Sequence, residues 1–227
     1  GDVGCFSFFP TKNLGAAGDG GAATSNDDAL AQTMRELAVH GMPKRYLHTA
    51  LGYNSRLDAM QAAVLNVKLP KLGEWISNRT AIATRYRDAL ADLKGLTLPT
   101  TDDGHSWNQF VVRVPACDAG AAACGGSCEP CPASAEHGLP EGRCRNWLQS
   151  DLRERGVNTI IYYPTPIPRQ PAYAELGYGQ GSLPVTERLA AEVLSLPIFP
   201  ELAASQQEQV IKSLGGVKRV IPLDSVE

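Results

Sequence analysis

The stretch GAAGDGG at positions 15–21 packs four glycines and an aspartate into one short segment. Only glycine reaches positive φ without steric cost, so such a segment turns the chain and cannot lie inside a helix or a strand. Upstream, CFSFFPTKNL (5–14) is aromatic and interrupted by Pro10, which reads as a buried strand over residues 4–9 rather than a helix. Downstream, AAT at 22–24 reads as the returning strand. The pattern predicts a tight hairpin with Lys12 on its connection.

The rest of the chain alternates helix and strand signals. Ser25 or Asn26 is placed to cap a helix with Asp27 and Asp28 in its acidic first turn, ending near Ala38 before Gly41 and Pro43. RLDAMQAAVLNVKLPKL (56–72) is rich in helix formers, with Leu57, Met60, Val64 and Val67 at helical spacing. After the break at Pro70 and Gly73, EWISNRTAIATRYRDALADL (74–93) repeats that period through Trp75, Ile76, Ile82, Tyr86, Leu90 and Leu93. A domain boundary is expected at this break, giving domains 1–72 and 73–227. Beyond it, strands are expected at 107–114 and 157–163, and helices at 145–156, 185–196 and near 205–217. Strands alternating with helices predict an α/β or α+β architecture, without an internal repeat.

A chain of 227 residues is long enough for one or two domains, and 43% apolar with 20% charged residues fits a globular protein. The net charge of −3, spread along the chain, provides no electrostatic footprint for nucleic acid. No apolar run approaches the roughly 20 residues that span a bilayer, and no basic-then-apolar leader is visible. The expected location is the cytoplasm. The sequence opens at Gly1 on what reads as the tail of a strand, so a fragment is expected.

Lys12 has two readings. It either snorkels from a loop, or it sits in a desolvated pocket where a depressed pKa makes its amine a nucleophile toward a carbonyl. The second reading is how proteins anchor pyridoxal phosphate, whose ring then serves as an electron sink. Ser7 is placed to donate its hydroxyl to that cofactor's phosphate.

SFFPTKNLGAAGDGGAATSND (7–27) followed by LGYNSRLDAMQAAVL (51–65) resembles the DegT/DnrJ/EryC1/StrS sugar aminotransferase family. The resemblance continues through NQFVVRVP, RGVNTIIYYPTPIPRQPAY, LGY and AAEVLSLPIFPEL, nearly the whole chain outside 116–143. It implies the fold-type I, aspartate-aminotransferase-like α/β fold: the C-terminal part of the large cofactor domain over 1–72, then an α+β small domain over 73–227. It also implies transfer of an amino group, with glutamate as donor, to a keto-sugar carried on a nucleotide. The cofactor would be pyridoxal 5'-phosphate, bound in a homodimer whose active site is shared across the interface.

Carried onto this chain, the resemblance makes Lys12 the catalytic lysine that holds the cofactor. Ser7 becomes a phosphate ligand, and Asn54 reaches that phosphate from the neighbouring subunit. Arg56 would contact a carboxylate or a sugar-nucleotide phosphate. Its alternative is an ion pair with Asp58 or another carboxylate. Tyr162 stands where family members carry a histidine and is expected near the sugar, or else packs at a strand end. Pro168 replaces a second histidine and donates nothing. The alternative function is a non-catalytic or regulatory member of the same fold, acting as a dimer partner.

Five of the six cysteines, Cys117, Cys124, Cys128, Cys131 and Cys144, lie in or beside 116–143. Cys128 and Cys131 have CxxC spacing but the others do not repeat it, so a zinc site and a free-thiol surface insertion both remain open. No metal ligand is assigned. Cys5 is expected in the core.

Overall fold

The computed structural model describes residues 1–93, 95–114 and 143–215. It divides into two compact units, Gly1–Ile76 and Ser77–Glu227.

In the first unit, strands β1 (Gly4–Ser7) and β2 (Gly21–Thr24) pair antiparallel, with Gly4 opposite Thr24 and Ser7 opposite Gly21. The hairpin expected from the glycine loop is present, but β1 ends at Ser7 because Pro10 and the bonds of the turn take over. β1 is also not buried: Phe6 and Phe9 are about half exposed, and Cys5 lies at the surface instead of in a core.

Helix α1 (Asp28–Ala38) starts one residue later than expected. Asp27 is the cap, its Oδ1 accepting from the N–H groups of Ala29 (2.8 Å) and Leu30 (3.1 Å), while Ser25 Oγ accepts from Asp27 N–H (3.1 Å). Helix α2 (Ala59–Lys68) begins at Asp58, whose carboxylate accepts from Gln61 N–H at 2.9 Å. A 3-10 turn, Leu69–Lys71, with the N–H-less Pro70 inside it, joins α2 to helix α3 (Leu72–Leu90). The boundary between the two units falls within α3.

The hydrophobic core lies in the second unit. From α3 it takes Ile82, Tyr86 and Leu90; Trp107 and Val114 flank strand β3 (Phe110–Arg113), which gives Phe110 and Val112. Helix α4 (Arg143–Glu154) adds Leu148 and Leu152, and strand β4 (Val193–Leu196) adds Leu194 and Leu196. Helix α6 (Ala204–Gly215) closes it with Val210 and Leu214. β3 and β4 are antiparallel, with Phe110 opposite Leu196 and Arg113 opposite Val193. Single bridges extend this sheet on both sides, Thr97 to Arg113 and Ile160 to Ser195.

Two expected elements differ. The helix expected over 185–196 ends early: α5 (Pro184–Glu192) gives way directly to β4. Glu192 and Val193 are held there by partners distant in sequence, Arg113 Nη2 to the Glu192 carboxylate (2.7 Å) and Arg145 Nη1 to the Val193 carbonyl (2.8 Å). The strand expected over 157–163 is reduced to the bridge at Ile160. It is followed by 3-10 turns at Ile167–Arg169 and Pro171–Leu176, in keeping with its four nearby prolines.

Cys117, Cys124, Cys128, Cys131 and the side chain of Cys144 lie outside the described residues, and the question of a zinc site with them. Among the described residues, no helix is long and apolar enough to cross a membrane.

Candidate active site

Lys12 sits on a loop closed by backbone bonds. Phe8 N–H donates to Gly20 O (2.8 Å), Ala16 N–H to Phe8 O (2.7 Å) and Lys12 N–H to Phe9 O (2.9 Å). Gly15 is required at the crossing, because a Cβ there would overlap the carbonyl of Pro10. Ser7 ends β1 on the entering limb, and its Oγ accepts from Phe9 N–H at 3.3 Å, which leaves the hydroxyl proton to donate to an anion.

Ser7 thus stands at the end of the strand that enters the loop, and Lys12 on the loop itself. The lysine is exposed, and its amine has no hydrogen-bond or ion-pair partner among the described residues. Among the described residues, the desolvated pocket of the sharper sequence reading is not formed. Burial of a loop side chain depends on what lies over it, and the described residues place nothing there.

Asn54 and Arg56 come from the segment between α1 and α2. Gly41 has φ +66°, and Gly41 and Gly52 approach so closely that a Cβ on either would overlap backbone of the other limb. His40 N–H to Tyr53 O (2.9 Å), Tyr53 N–H to Leu37 O (2.7 Å) and Ser55 N–H to Ala38 O (2.9 Å) then hold Asn54 in a bridge with Val39. Arg56 Nε donates to Asn54 Oδ1 at 3.2 Å. The amide nitrogen of Asn54 is thus oriented away from Arg56 as a donor. Asp58 caps α2 through Oδ1, and Arg56 bonds Asn54; no ion pair between Arg56 and Asp58 is formed.

Four of the five expected site residues, Ser7, Lys12, Asn54 and Arg56, belong to Gly1–Ile76, and Tyr162 belongs to the second unit. Tyr162 is partly buried and lies edge-on to Tyr163, with ring centroids 5.3 Å apart.

Contacts around the Lys12 loop add two residues that the sequence did not single out. Gln61 Oε1 accepts from Ala17 N–H at 2.8 Å, and Lys68 Nζ donates to Gly15 O. Both stand on α2, seven positions apart in the sequence. That spacing is a signal for one helix face, but nothing in the sequence says what the face grips.

A hydroxyl at a strand end and an amine on the adjoining loop are groups that suit an anionic cofactor with a reactive carbonyl.

The DegT/DnrJ/EryC1/StrS aminotransferase family model matches residues 1–122 and 137–215. A Geobacillus stearothermophilus protein described as "Pleiotropic regulatory protein" is 41% identical over 218 residues, covering 94% of this chain and 51% of the relative. The dTDP-3-amino-3,4,6-trideoxy-alpha-D-glucose transaminase of Streptomyces venezuelae is 39% identical over 214 residues, covering 93% and 49%. The crystal structure of S. venezuelae DesV in complex with a ketimine intermediate superposes with a TM-score of 0.78 at 39% identity, covering 93% of this chain and 50% of that one. The chain spans about half the length of the relatives it matches. Its fold is α/β and aspartate-aminotransferase-like, and the chain belongs to the DegT/DnrJ/EryC1/StrS aminotransferase family.

Proposed function

We propose that the protein containing this chain is a pyridoxal-phosphate-dependent aminotransferase that converts a nucleotide-linked keto-sugar to an amino-sugar, with glutamate as amino donor. The observation that carries this is the Ser7–Lys12 turn, a hydroxyl and an amine on one closed loop, within a chain matched almost throughout by the family model. When bound, pyridoxal phosphate supplies an aldehyde that condenses with an amine and a ring that takes up electron density.

The chain's own groups have separate tasks. Lys12 Nζ would hold the cofactor and, as a free amine, would accept and return the proton that moves at the donor's α-carbon. Ser7 Oγ would donate to the phosphate. Asn54, whose Oδ1 accepts from Arg56, would reach the phosphate of a second copy's site, and Arg56 would hold a substrate carboxylate or phosphate. Tyr162 serves the sugar with its hydroxyl. Orientation of the keto group by these contacts supplies much of the rate.

In this reading residues 1–72 are the C-terminal part of the large cofactor domain and 73–227 form the small domain. The protein works as a cytoplasmic homodimer. The exposed apolar side chains of the first unit support further partners for it: Tyr46 is 80%, Leu51 98% and Met60 77% exposed. The S. venezuelae relative is a transaminase named for a 3-amino sugar, which supports amination at carbon 3.

The test is the absorbance band near the visible edge when pyridoxal phosphate is added to the full-length protein, followed by glutamate and a panel of keto-sugar nucleotides. The band and the amino-sugar product are expected in the wild type and lost in Lys12→Ala. A band that survives the substitution would refute the assignment of Lys12. A second reading, a non-catalytic regulatory member, has in its favour the description of the G. stearothermophilus relative as a regulatory protein. A wild type that binds cofactor but turns over none of the panel is its expected outcome.

A further inference from the structure

Backbone bonds within the Lys12 loop close it on itself, at the neck where Phe8 meets Gly20 and Ala16 and at the turn where Lys12 meets Phe9. Those bonds do not reach the rest of the unit, and side chains of α2 do. Lys68 Nζ donates to the carbonyl of Gly15, and Gln61 Oε1 accepts from the N–H of Ala17, so the two side chains bracket Ala16, which is 4% exposed. Seven residues span about two helical turns, which puts both grips on one face of α2.

The grip is specific in its chemistry. It takes one donor and one acceptor, matched to a carbonyl and an N–H on either side of a single buried residue. Gly15 is itself buried, so its carbonyl has little access to water if the ammonium is removed. Lys68 is only partly buried, and its ammonium also lies 5.9 Å from the centroid of the Trp75 ring, which favours the rotamer that reaches Gly15. Two residues, Asn13 and Leu14, separate Lys12 from the clamped Gly15. A shift of the clamp is therefore transmitted to the lysine through a short, closed stretch of backbone.

We propose that Gln61 and Lys68 are positioning residues for Lys12: they clamp the Gly15–Ala17 backbone to α2 and so fix the attitude of the lysine toward its cofactor and substrate. This rests on the reading of Lys12 given under Proposed function, and the experiment separates failure of the one from failure of the other.

Full-length protein would be made as wild type, Gln61→Ala, Lys68→Met, Lys68→Arg and Asp27→Ala. The last removes the cap of α1, whose carboxylate bonds Ala29 and Leu30 and no residue of α2 or of the loop. Apo protein is first digested with trypsin, timing cleavage after Lys12. Loaded protein is then measured for kcat, KM, thermal midpoint and the induced circular dichroism of the visible band, and borohydride trapping followed by mass spectrometry locates the cofactor.

Gln61→Ala and Lys68→Met are expected to speed apo cleavage at Lys12 by roughly fivefold or more. They should keep the trapped tag on Lys12, lower the induced dichroism, and cut kcat by about tenfold or more with little change in KM. Lys68→Arg should recover most of the loss, and Asp27→Ala should lower only the thermal midpoint. If Gln61→Ala and Lys68→Met behave like Asp27→Ala, with unchanged cleavage at Lys12 and unchanged kcat, the positioning role is overturned. If the wild type carries no tag on Lys12, the cofactor reading is overturned instead, while the apo digestion still decides whether α2 holds the loop.

Discussion

Arg79 offers a quantitative test of how the second unit is held together. It stands on α3, is 7% exposed, and has no carboxylate bonded to it among the described residues; its Nη1 donates to the carbonyls of Trp107 (3.0 Å), Ile198 (3.0 Å) and Asn108 (3.4 Å). Burial lowers its pKa from the ordinary guanidinium value, and attraction to Glu201 works against that. Two opposing effects decide the outcome of Arg79→Met. In the wild type the charge is desolvated and its Nε has no partner among the described residues, a cost of about 1–3 kcal/mol that the substitution removes. Against this, the two bonds at 3.0 Å come from a charged donor and contribute about 1.5–3 kcal/mol each, and the Met would leave both carbonyls without a donor. The loss exceeds the relief. The net is a destabilisation of about 3 kcal/mol, or roughly 6–12 °C in Tm for a chain of this size.

The assay is urea unfolding followed by tryptophan emission, since Trp107 is 3% exposed and lies against Phe110 at 5.7 Å. Arg79→Lys is expected to fall between wild type and Arg79→Met, because an ammonium has donors but lacks the planar reach of the guanidinium. A wild-type-like or more stable Arg79→Met would refute the reasoning, by showing that the buried charge costs more than its carbonyl bonds return.

Two further perturbations have signs fixed by the structure. The fully buried Tyr86 donates its hydroxyl to Pro197 O at 3.0 Å, and burial pushes the phenol well above its ordinary value, against a smaller opposing influence of Arg85. Its contribution is fully present below the unfolded-state pKa of about 10 and lost as pH rises beyond it, so Tyr86→Phe should cost about 1–2 kcal/mol at neutral pH and flatten the alkaline limb of the stability curve. Equal alkaline limbs by denaturant titration would count against this. The Glu187 carboxylate accepts from the N–H groups of Gly181 (2.9 Å) and Leu183 (3.1 Å) and lies 3.4 Å from Arg169, and these interactions, the two backbone bonds first, hold it below the usual carboxylate range. That contribution is present above the unfolded-state pKa of about 4.3 and fades as pH falls through the lowered folded value. The Tm gap between wild type and Glu187→Gln should therefore narrow in acid, and a gap that does not change with pH would refute the link.

The hairpin and its lysine were legible because their determinants are local. Glycines at 15, 18, 20 and 21 force a turn, Pro10 ends the aromatic run, and Ser7 and Lys12 are then neighbours on one loop. Helix α2 was legible in its period, with its start set by Asp58 and its end by Pro70. The cap of α1 was misjudged by one residue, since Ser25, Asn26, Asp27 and Asp28 are all competent caps and only the chain's approach from β2 selects Asp27. Arg56 was ambiguous for a similar reason. Asp58 two residues on is a partner of the right charge, yet the fold gives Arg56 the Asn54 amide oxygen and uses Asp58 to cap α2.

The misread elements depended on distant partners. VTERLAAEVLSL keeps a helical pattern through Leu196, yet the chain becomes extended at Val193, where β3 offers a ladder and Arg145 takes the Val193 carbonyl. Local composition alone determined the family's loop, its lysine and its hydroxyl, because turn chemistry and short-range spacing need nothing from elsewhere in the chain. Tertiary structure alone decided which face of α2 clamps that loop, where α5 turns into β4, and that Lys12 and Phe6 lie open in this chain. Burial and strand pairing are properties of two surfaces that meet, and a sequence read along its length contains only one of them at a time.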